Sequence, residues 1–310
     1  MNKLMTAVAA SVCAVSLSGA AVAAEEGEGA PFEAGVDLDF FSAYAWRNAV
    51  QTDRMVLQPC AWADLTCLEP FWIGFSVWQN YDVTSRRRGT DNAFRHALNE
   101  TDYNVHAGVT AWEDGDLSLA FEIGHDWYAY QGRQAGEGEG NPDTREIYLK
   151  ATFANPVADV YGQVSWMYDD FGVYRKALHY ELGFCKEIEI CESLTLGADW
   201  NVNFGDGRYL SFLYCGLPSG AYDHSDDPAA PDVYDDYANS QGGIGGTTLK
   251  VYLAYDVTDW LQLGATLAYT GVLGHDLRDS YRAQGDEAWY GSDSYPRDLL
   301  WGGLSAKISF

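Results

Sequence analysis

The chain has 310 residues, with 45 acidic and 19 basic side chains, so its formal net charge is −26. This acidity leaves no basic surface of useful size, which argues against nucleic-acid binding. A mean hydropathy of −0.24 excludes a multi-helix membrane protein. The 21 Tyr, 11 Trp and 32 Gly exclude a disordered chain and favour an all-β protein with alternating apolar and polar residues.

The first residues have the pattern of an export signal. Lys3 supplies a positive charge, residues 4–17 are apolar, and Ala21-Val22-Ala23 matches a cleavage site for signal peptidase. An uncleaved membrane anchor is the less favoured alternative, because the apolar segment is short and ends in small residues. The sequence therefore predicts a signal peptide over 1–23 and a single domain over 24–310.

The cysteines suit an oxidising compartment. Cys60 and Cys67 are close in sequence, as are Cys185 and Cys191, which makes each pair a disulfide candidate. The alternative is that all five cysteines beyond the signal are thiols packed in a wall. No spacing of Cys or His suggests zinc, so the sequence predicts neither a metal site nor a cofactor.

Beyond residue 33 the chain consists of segments that alternate apolar and polar residues with a period of two. Such alternation predicts β-strands with one apolar and one polar face. Pro59 lies in the second segment and lacks the N–H of a regular strand, so it predicts a bulge, a distortion or a later strand start. Twelve segments are found, beginning near residues 36, 55, 71, 103, 117, 147, 160, 178, 194, 249, 261 and 300.

The connections between these segments alternate strictly between short and long. The short ones are 64–70, 113–116, 154–159, 187–193 and 256–260, and the long ones are 47–54, 83–100, 131–145, 169–176, 205–246 and 273–297. Transmembrane barrels have short periplasmic turns and longer outer loops. Hydrocarbon forbids an open sheet edge. The predicted fold is therefore all-β: a closed, antiparallel, up-and-down transmembrane β-barrel of about twelve strands.

The last segment, 304–310, alternates up to a terminal aromatic residue, Phe310. It resembles the last strand of bacterial outer-membrane barrels, in which the final Phe is read by the barrel assembly machinery. The resemblance implies that Phe310 is an assembly signal, and that the exported protein lies in the outer membrane among lipids and lipopolysaccharide. The oligomeric state is not readable from the sequence.

The polar face of the segments is predicted to line the barrel interior. Acidic residues predominate there, and charges of this kind need water, ion pairs or a ligand. Acidic rings favour cations, so we expect a channel for small polar or cationic solutes. The alternative is a plugged barrel whose charges pair internally. The predicted lining residues are Asp37, Asp39, Trp78, Asn80, Asp102, Asn104, His106, Glu122, Asp126, Lys150, His179, Glu181, Asp199, Asn201, Lys250 and Lys307.

Two of the long loops carry concentrated charge. Arg86, Arg87 and Arg88 are a candidate constriction if their loop folds inward, although such a run is more often a solvated loop tip. The loop 205–246 carries six aspartates over 223–236, which suggests binding of divalent cations. It has no EF-hand spacing, and an acidic surface loop is the favoured interpretation.

Two other function classes remain open. A lipid-modifying outer-membrane enzyme needs a nucleophile and a base on the lipid-facing wall, but the sequence has no GxSxG motif and no serine near His125 on its segment. The chain is therefore predicted not to be an enzyme. A structural or adhesive barrel would act through its long loops.

Three short stretches resemble the TorF-like porins of Gram-negative bacteria: residues 41–47 (FSAYAWR), Gln58-Pro59, and residues 74–80 (GFSVWQN). In that family a first strand ending in an aromatic residue and Arg precedes an outer loop and a second strand. The likeness is strongest over residues 33–130 and implies an outer-membrane porin-like protein. Asn48 departs from the pattern, because the family usually has Gly after this Arg.

Overall fold

The computed structural model describes residues 32–83, 98–130, 143–168, 176–210, 213, 242–274, 277 and 298–310. The predicted signal peptide and Arg86, Arg87 and Arg88 lie outside this part of the chain. Within it, helices long and apolar enough to cross a membrane are not found.

Fourteen strands and one short helix make up the described structure. In chain order they are β1 (Phe32–Phe41), β2 (Tyr44–Trp46), β3 (Ala49–Thr52), β4 (Val56–Leu68), β5 (Phe71–Asp82), β6 (Leu98–Asp114), β7 (Leu117–Tyr130), β8 (Thr144–Ala154), β9 (Asp159–Met167), β10 (Leu178–Cys191), β11 (Leu194–Gly205), α1 (Gly207–Leu210), β12 (Gly243–Thr258), β13 (Leu261–Val272) and β14 (Asp298–Ser309).

Twelve of these strands form one closed barrel. Each pairs antiparallel with its neighbours in sequence, and β1 closes the sheet by pairing with both β4 and β14. The predicted closed, twelve-stranded, antiparallel barrel is thereby confirmed. The connections at one end, called here the short-turn end, have two to four residues. The opposite end, the long-loop end, carries the six longer connections.

The wall has an apolar outer face and a mostly polar inner face. Leu38, Ile123 and Leu304 point outward and are 43%, 56% and 63% exposed. Neighbouring residues such as Asp37, Glu122 and Asp39 point inward and are buried. A continuous apolar outer surface is unfavourable in water but is the surface that hydrocarbon solvates. The alternation along each strand therefore places one face against lipid.

Pro59 does not produce the predicted bulge. β4 begins before it, at Val56, and Pro59 pairs in register with Leu38 of β1. Towards β5 the register is the same on both sides of Pro59, as the pairs Leu57–Tyr81 and Cys60–Trp78 show. The ladder to β5 has no pair at Pro59, which has no N–H to donate. The strand therefore accommodates the proline by leaving a local gap in its pairing.

The predicted local disulfides are wrong. Cys60 and Cys67 lie seven positions apart in β4, and Cys185 and Cys191 lie six positions apart in β10. A strand rises about 3.3 Å per residue, which separates each pair by roughly 20 Å or more. A disulfide needs Cα atoms within about 7 Å. Closeness in sequence is therefore misleading here, because both cysteines of each pair belong to one extended segment.

Candidate functional site: the barrel interior

The structure places all the predicted lining residues on the inner face of the wall. Their alternation with exposed apolar neighbours follows from the strand period of two. They are Asp37 and Asp39 on β1; Trp78 and Asn80 on β5; Asp102, Asn104 and His106 on β6; Glu122 and Asp126 on β7; Lys150 on β8; His179 and Glu181 on β10; Asp199 and Asn201 on β11; Lys250 on β12; and Lys307 on β14.

Several inner carboxylates have buried oxygens without a hydrogen-bond partner, Asp37, Asp39 and Asp102 among them. Asp37 and Asp39 are 3% and 6% exposed, and both oxygens of Asp37 and one of Asp39 are buried without a hydrogen-bond partner. One oxygen of Asp102 is also buried without a hydrogen-bond partner. An ionised carboxylate in an apolar, unpaired environment costs several kcal/mol or more. An ionised carboxylate at these positions therefore needs water, a mobile cation or a protein counter-charge beside it.

Other inner acids are held by hydrogen bonds across the strands. The Asn104 side-chain amide donates to Asp126 at 2.6 Å, and its Oδ1 accepts from Nδ1 of His106 at 2.8 Å. The Tyr148 hydroxyl donates to Glu122 at 2.8 Å. These bonds fix the side chains against the wall, but their donors are neutral and do not themselves cancel the negative charge.

The lysines of the inner face neutralise only part of this charge. Each of the three lysines is the cross-strand partner of an acid: Lys250 of Asp199, at 3.8 Å, Lys150 of Glu122, and Lys307 of Asp37. Lys150 also lies over the Tyr161 ring and Lys307 over the Trp62 ring, at 5.2 and 5.1 Å from the ring centres. The acids on the inner face outnumber these lysines. The described interior therefore has an excess of negative charge.

Glycines on the inner face make room for aromatic rings. In five cross-strand pairs, a ring lies where the Cβ of the opposite residue would stand, so any side chain larger than hydrogen would clash. The rings consequently lie along the wall instead of projecting towards the barrel axis. The pairs are Gly35 with Trp62, Gly108 with Trp72, Gly124 with Tyr148, Gly183 with Tyr161, and Gly197 with Tyr252.

The first long connection folds into the barrel, a feature that the sequence analysis did not predict. Its strands β2 and β3 form a separate two-stranded sheet. Arg47 and Asn48 form the tip, and both have positive φ, as a two-residue hairpin turn requires. We call residues 44–52 the inserted hairpin.

Arg47 reaches the wall on the far side of the barrel. Its guanidinium forms an ion pair with Glu146 on β8 and donates to the hydroxyls of Tyr128 on β7 and Tyr209 on α1, at 3.2 Å each. It also lies 4.7 Å from the centre of the Trp46 ring. The Glu146 side chain is fully buried. Arg47 is thus the counter-charge of a carboxylate that water does not reach.

The backbone of the hairpin tip is held by a second set of polar contacts. Asn203 on β11 donates to the Arg47 carbonyl at 2.5 Å and accepts from the Gly246 amide of β12, also at 2.5 Å. The Asn48 side chain donates to the Gly246 carbonyl at 3.1 Å. The hairpin therefore leaves the wall between β1 and β4 and contacts β7, β8, β11 and β12, so it spans the interior.

Apolar packing surrounds the hairpin on two sides. The β3 residue Ala49 belongs to a buried cluster formed by β9, β13 and the α1 region. The β2 residue Tyr44 belongs to another cluster on β1, β4, β5 and β14, and its ring lies 5.3 Å from that of Trp78. Trp46 packs against both clusters. The long-loop end of the interior is thus filled by a small core.

Exposure of the inner face changes along the barrel axis. Side chains near the long-loop end are fully buried, including Asn80, Ser165 and Asn203. Towards the short-turn end, His106 and Asp64 are 20% and 26% exposed and lie 3.5 Å apart. These polar side chains are therefore partly accessible, whereas the described side chains beside the inserted hairpin are fully buried.

Little in the sequence marks Arg47 as an interior residue. It lies in a connection, and its partners are 81, 99 and 162 positions away. Asn48 at a two-residue turn is a local signal for the hairpin itself. The predicted constriction Arg86, Arg87 and Arg88 and the six aspartates of the 205–246 loop lie outside the described residues, so their roles stay predictions.

The outer wall offers little for acyl chemistry at His125. The imidazole contacts the Tyr168 hydroxyl at 2.7 Å, and its cross-strand partners are Val105 and Ile147. None of these three is a nucleophile with an adjacent base. His125 therefore has the surroundings of an aromatic residue at the membrane boundary.

Comparison with solved structures supports the fold. The chain is similar to an outer membrane channel from Pseudomonas putida F1, with a TM-score of 0.50 and 10% identity over 95% of this chain and 100% of that one. Similarities to the NanC porin (TM-score 0.47, 7% identity, 88% and 98% covered) and to outer membrane phospholipase A from Escherichia coli (0.43, 11%, 89% and 92%) are too weak to carry an argument.

The fold is therefore that of an outer-membrane barrel, which is the class that closure and the apolar outer face define. No family model and no curated protein sequence matches the chain. The resemblance to TorF-like porins stays a prediction.

Proposed function

We propose that this protein is an outer-membrane channel that passes small cations or polar solutes through an acidic interior. The observation that carries the proposal is the row of inner-face carboxylates Asp37, Asp39 and Asp102, which have buried oxygens without a hydrogen-bond partner. Ionised carboxylates in such positions need water or a counter-charge beside them, and an acidic, hydrated interior is the lining that a cation channel requires. The fold shared with an outer membrane channel supports this function.

Selectivity follows from the sign of the interior charge. The barrel wall is a low-dielectric cylinder, which concentrates the field of the charges inside it. An excess of carboxylates raises the local concentration of cations and lowers that of anions. The effect decreases with salt, because the screening length falls from about 10 Å at 0.1 M to about 3 Å at 1 M.

Purified protein in a planar lipid bilayer tests the proposal. With a salt gradient across the bilayer, the reversal potential should have the sign of cation preference, and that preference should decline as both salt concentrations rise. Preference for anions would contradict the acidic-channel mechanism. If neither the wild type nor a variant without the inserted hairpin conducts any current, channel function is contradicted.

Replacing Asp37 and Asp39 together by Asn should shift the reversal potential towards zero. The two amides keep the side-chain shape and remove two charges from the inner face. The matched control replaces Glu189 and Glu192 by Gln, since both side chains are exposed near the short turn that follows β10. A shift as large in the control as in the Asp37 and Asp39 variant would show that the interior acids do not set selectivity.

A non-conducting barrel that acts through its long loops is the second candidate. The observation in its favour is that the inserted hairpin spans the interior between β1 and β8. The bilayer experiment separates the two candidates directly. A lipid-modifying activity is tested by incubating the protein with phospholipid vesicles and measuring fatty-acid release, for which we expect no signal above buffer.

A further inference from the structure

We propose that the inserted hairpin is a gate of the channel, held shut by the contact of Arg47 with Glu146. The inference rests on the proposed channel function and adds a moving part to it. In the closed state the hairpin spans the interior at the long-loop end. In the open state it swings outward as a unit and leaves the acidic interior continuous with the outside.

The attachment of the hairpin to the barrel wall permits this motion. β2 and β3 pair only with each other within the described sheets, so moving them breaks no ladder of the barrel wall. The two ends of the inserted segment leave the wall side by side, because Phe41 and Val56 are register partners in β1 and β4. A hairpin whose two ends join the wall side by side can rotate about these ends while the barrel stays intact.

The closed state depends on the ion pair of Arg47 with Glu146, which we call the latch. Arg47 and Glu146 are buried together, and Arg47 is the cation in direct contact with this carboxylate. Removing one partner leaves an uncompensated charge in the closed state, which is far more costly than leaving it in water. In the open state both groups are solvated, so the same substitution costs little. Loss of either partner therefore shifts the balance towards the open state.

The apolar contacts explain why the closed state dominates in the intact protein. Opening exposes Tyr44, Trp46 and Ala49, which pack in the two clusters at the long-loop end. Exposure of such surface to water is unfavourable. We therefore expect brief openings in the wild type rather than continuous conduction.

Single-channel recording of four proteins tests the gate. They are the wild type, Arg47→Ala, Glu146→Gln, and a variant in which residues 42–55 are replaced by a short Gly-Ser turn between Phe41 and Val56. Arg47→Ala and Glu146→Gln should each raise the open fraction by about tenfold or more, and the excised variant should stay open. Arg145→Ala is the control, because it removes the same charge from the outer end of β8, where Arg145 lies over Trp127.

The outcomes distinguish the gate from the channel. If the excised variant conducts at the level and open fraction of the wild type, the hairpin does not limit the current, and the gate is overturned while the channel stands. If Arg47→Ala is folded, as judged by heat-dependent migration in gels, and gates like the wild type, the latch is overturned. If the wild type and the excised variant are both silent, the channel is overturned, and the gate with it. If the wild type conducts and the folded excised variant is silent, only the gate is overturned.

Discussion

At the scale of single residues, glycines on the inner face leave space for aromatic rings because they have no side chain. In each of the five glycine–aromatic pairs, a ring from the paired strand occupies the space that a side chain at the glycine would take. The ring lies flat over backbone, and a hydroxyl such as that of Tyr148 reaches an acid on a neighbouring position, Glu122. The glycines therefore keep large side chains near the wall and preserve space along the axis.

Gly124→Ala tests this role. The added Cβ would occupy the position of the Tyr148 ring, so the ring must leave the wall and lose its 2.8 Å hydrogen bond with Glu122. Overpacking of this kind typically costs about 1–3 kcal/mol. We expect a lower urea midpoint for unfolding from vesicles and a smaller open-channel conductance.

Gly162→Ala is the matched control, because its added Cβ would meet only the end of the Leu182 side chain, at 3.3 Å, and the Glu181 carbonyl, at 3.9 Å. Its midpoint should stay close to that of the wild type. Equal effects of the two substitutions would mean that loss of glycine in a strand, and not displacement of the ring, is responsible.

At the scale of elements, the inserted hairpin combines a local signal with distant partners. A two-residue turn with positive φ at both positions is the usual connection of a tight hairpin, and Asn48 tolerates that conformation. Where the hairpin goes depends on groups far along the chain. Asn203 holds its tip from β11, 156 positions away, and is fully buried there.

Asn203→Ala should loosen the hairpin without changing any charge. The substitution leaves the Arg47 carbonyl and the Gly246 amide without their buried partner, a loss of about 1–3 kcal/mol for the closed state. Trypsin cleavage after Arg47, followed by mass spectrometry on protein in vesicles, reports the exposed hairpin, and we expect faster cleavage.

Asn201→Ala is the comparison for this measurement, since Asn201 lies two positions earlier on the same inner face. It should leave the cleavage rate at Arg47 unchanged. If Asn203→Ala has no effect on cleavage in folded protein, Asn203 does not hold the hairpin.

At the scale of the whole molecule, closure makes the two ends of the barrel different. Turns of two to four residues close one end, and the other carries the long connections and the inserted hairpin. Both described chain ends, Phe32 and Ser309 with Phe310, lie at the short-turn end, where Phe310 pairs with Ala34 through their backbones. The alternation of short and long connections predicts that this end faces the periplasm.

Cysteine labelling in cells tests the orientation. Cys191 is exposed at the short-turn end and Val83 is 50% exposed at the long-loop end. In a background with the other cysteines replaced by serine, a membrane-impermeant maleimide should label Cys191 only after the outer membrane is permeabilised. Val83→Cys in the same background, with Cys191 also replaced, should be labelled on intact cells. The reverse pattern would invert the proposed topology.

The alternation of apolar and polar residues along each strand was enough to predict which side chains of the barrel wall face inward. Inward or outward orientation is a local property, because successive side chains of a strand point to opposite faces whatever the strand pairs with. Asp37, Glu122 and Lys307 could therefore be placed on the inner face from the sequence. The number of strands and their closure follow from the same pattern, since hydrocarbon tolerates no free sheet edge.

Contacts across the interior were decided only by the tertiary structure. The ion pair of Arg47 with Glu146 depends on the register of the strands and on where the first loop folds. The separation of Cys185 from Cys191 depends on the length of β10, which contains both residues. Neither is encoded by a period of two. A barrel wall is specified by local alternation, whereas whatever crosses its interior depends on which distant residues closure brings face to face.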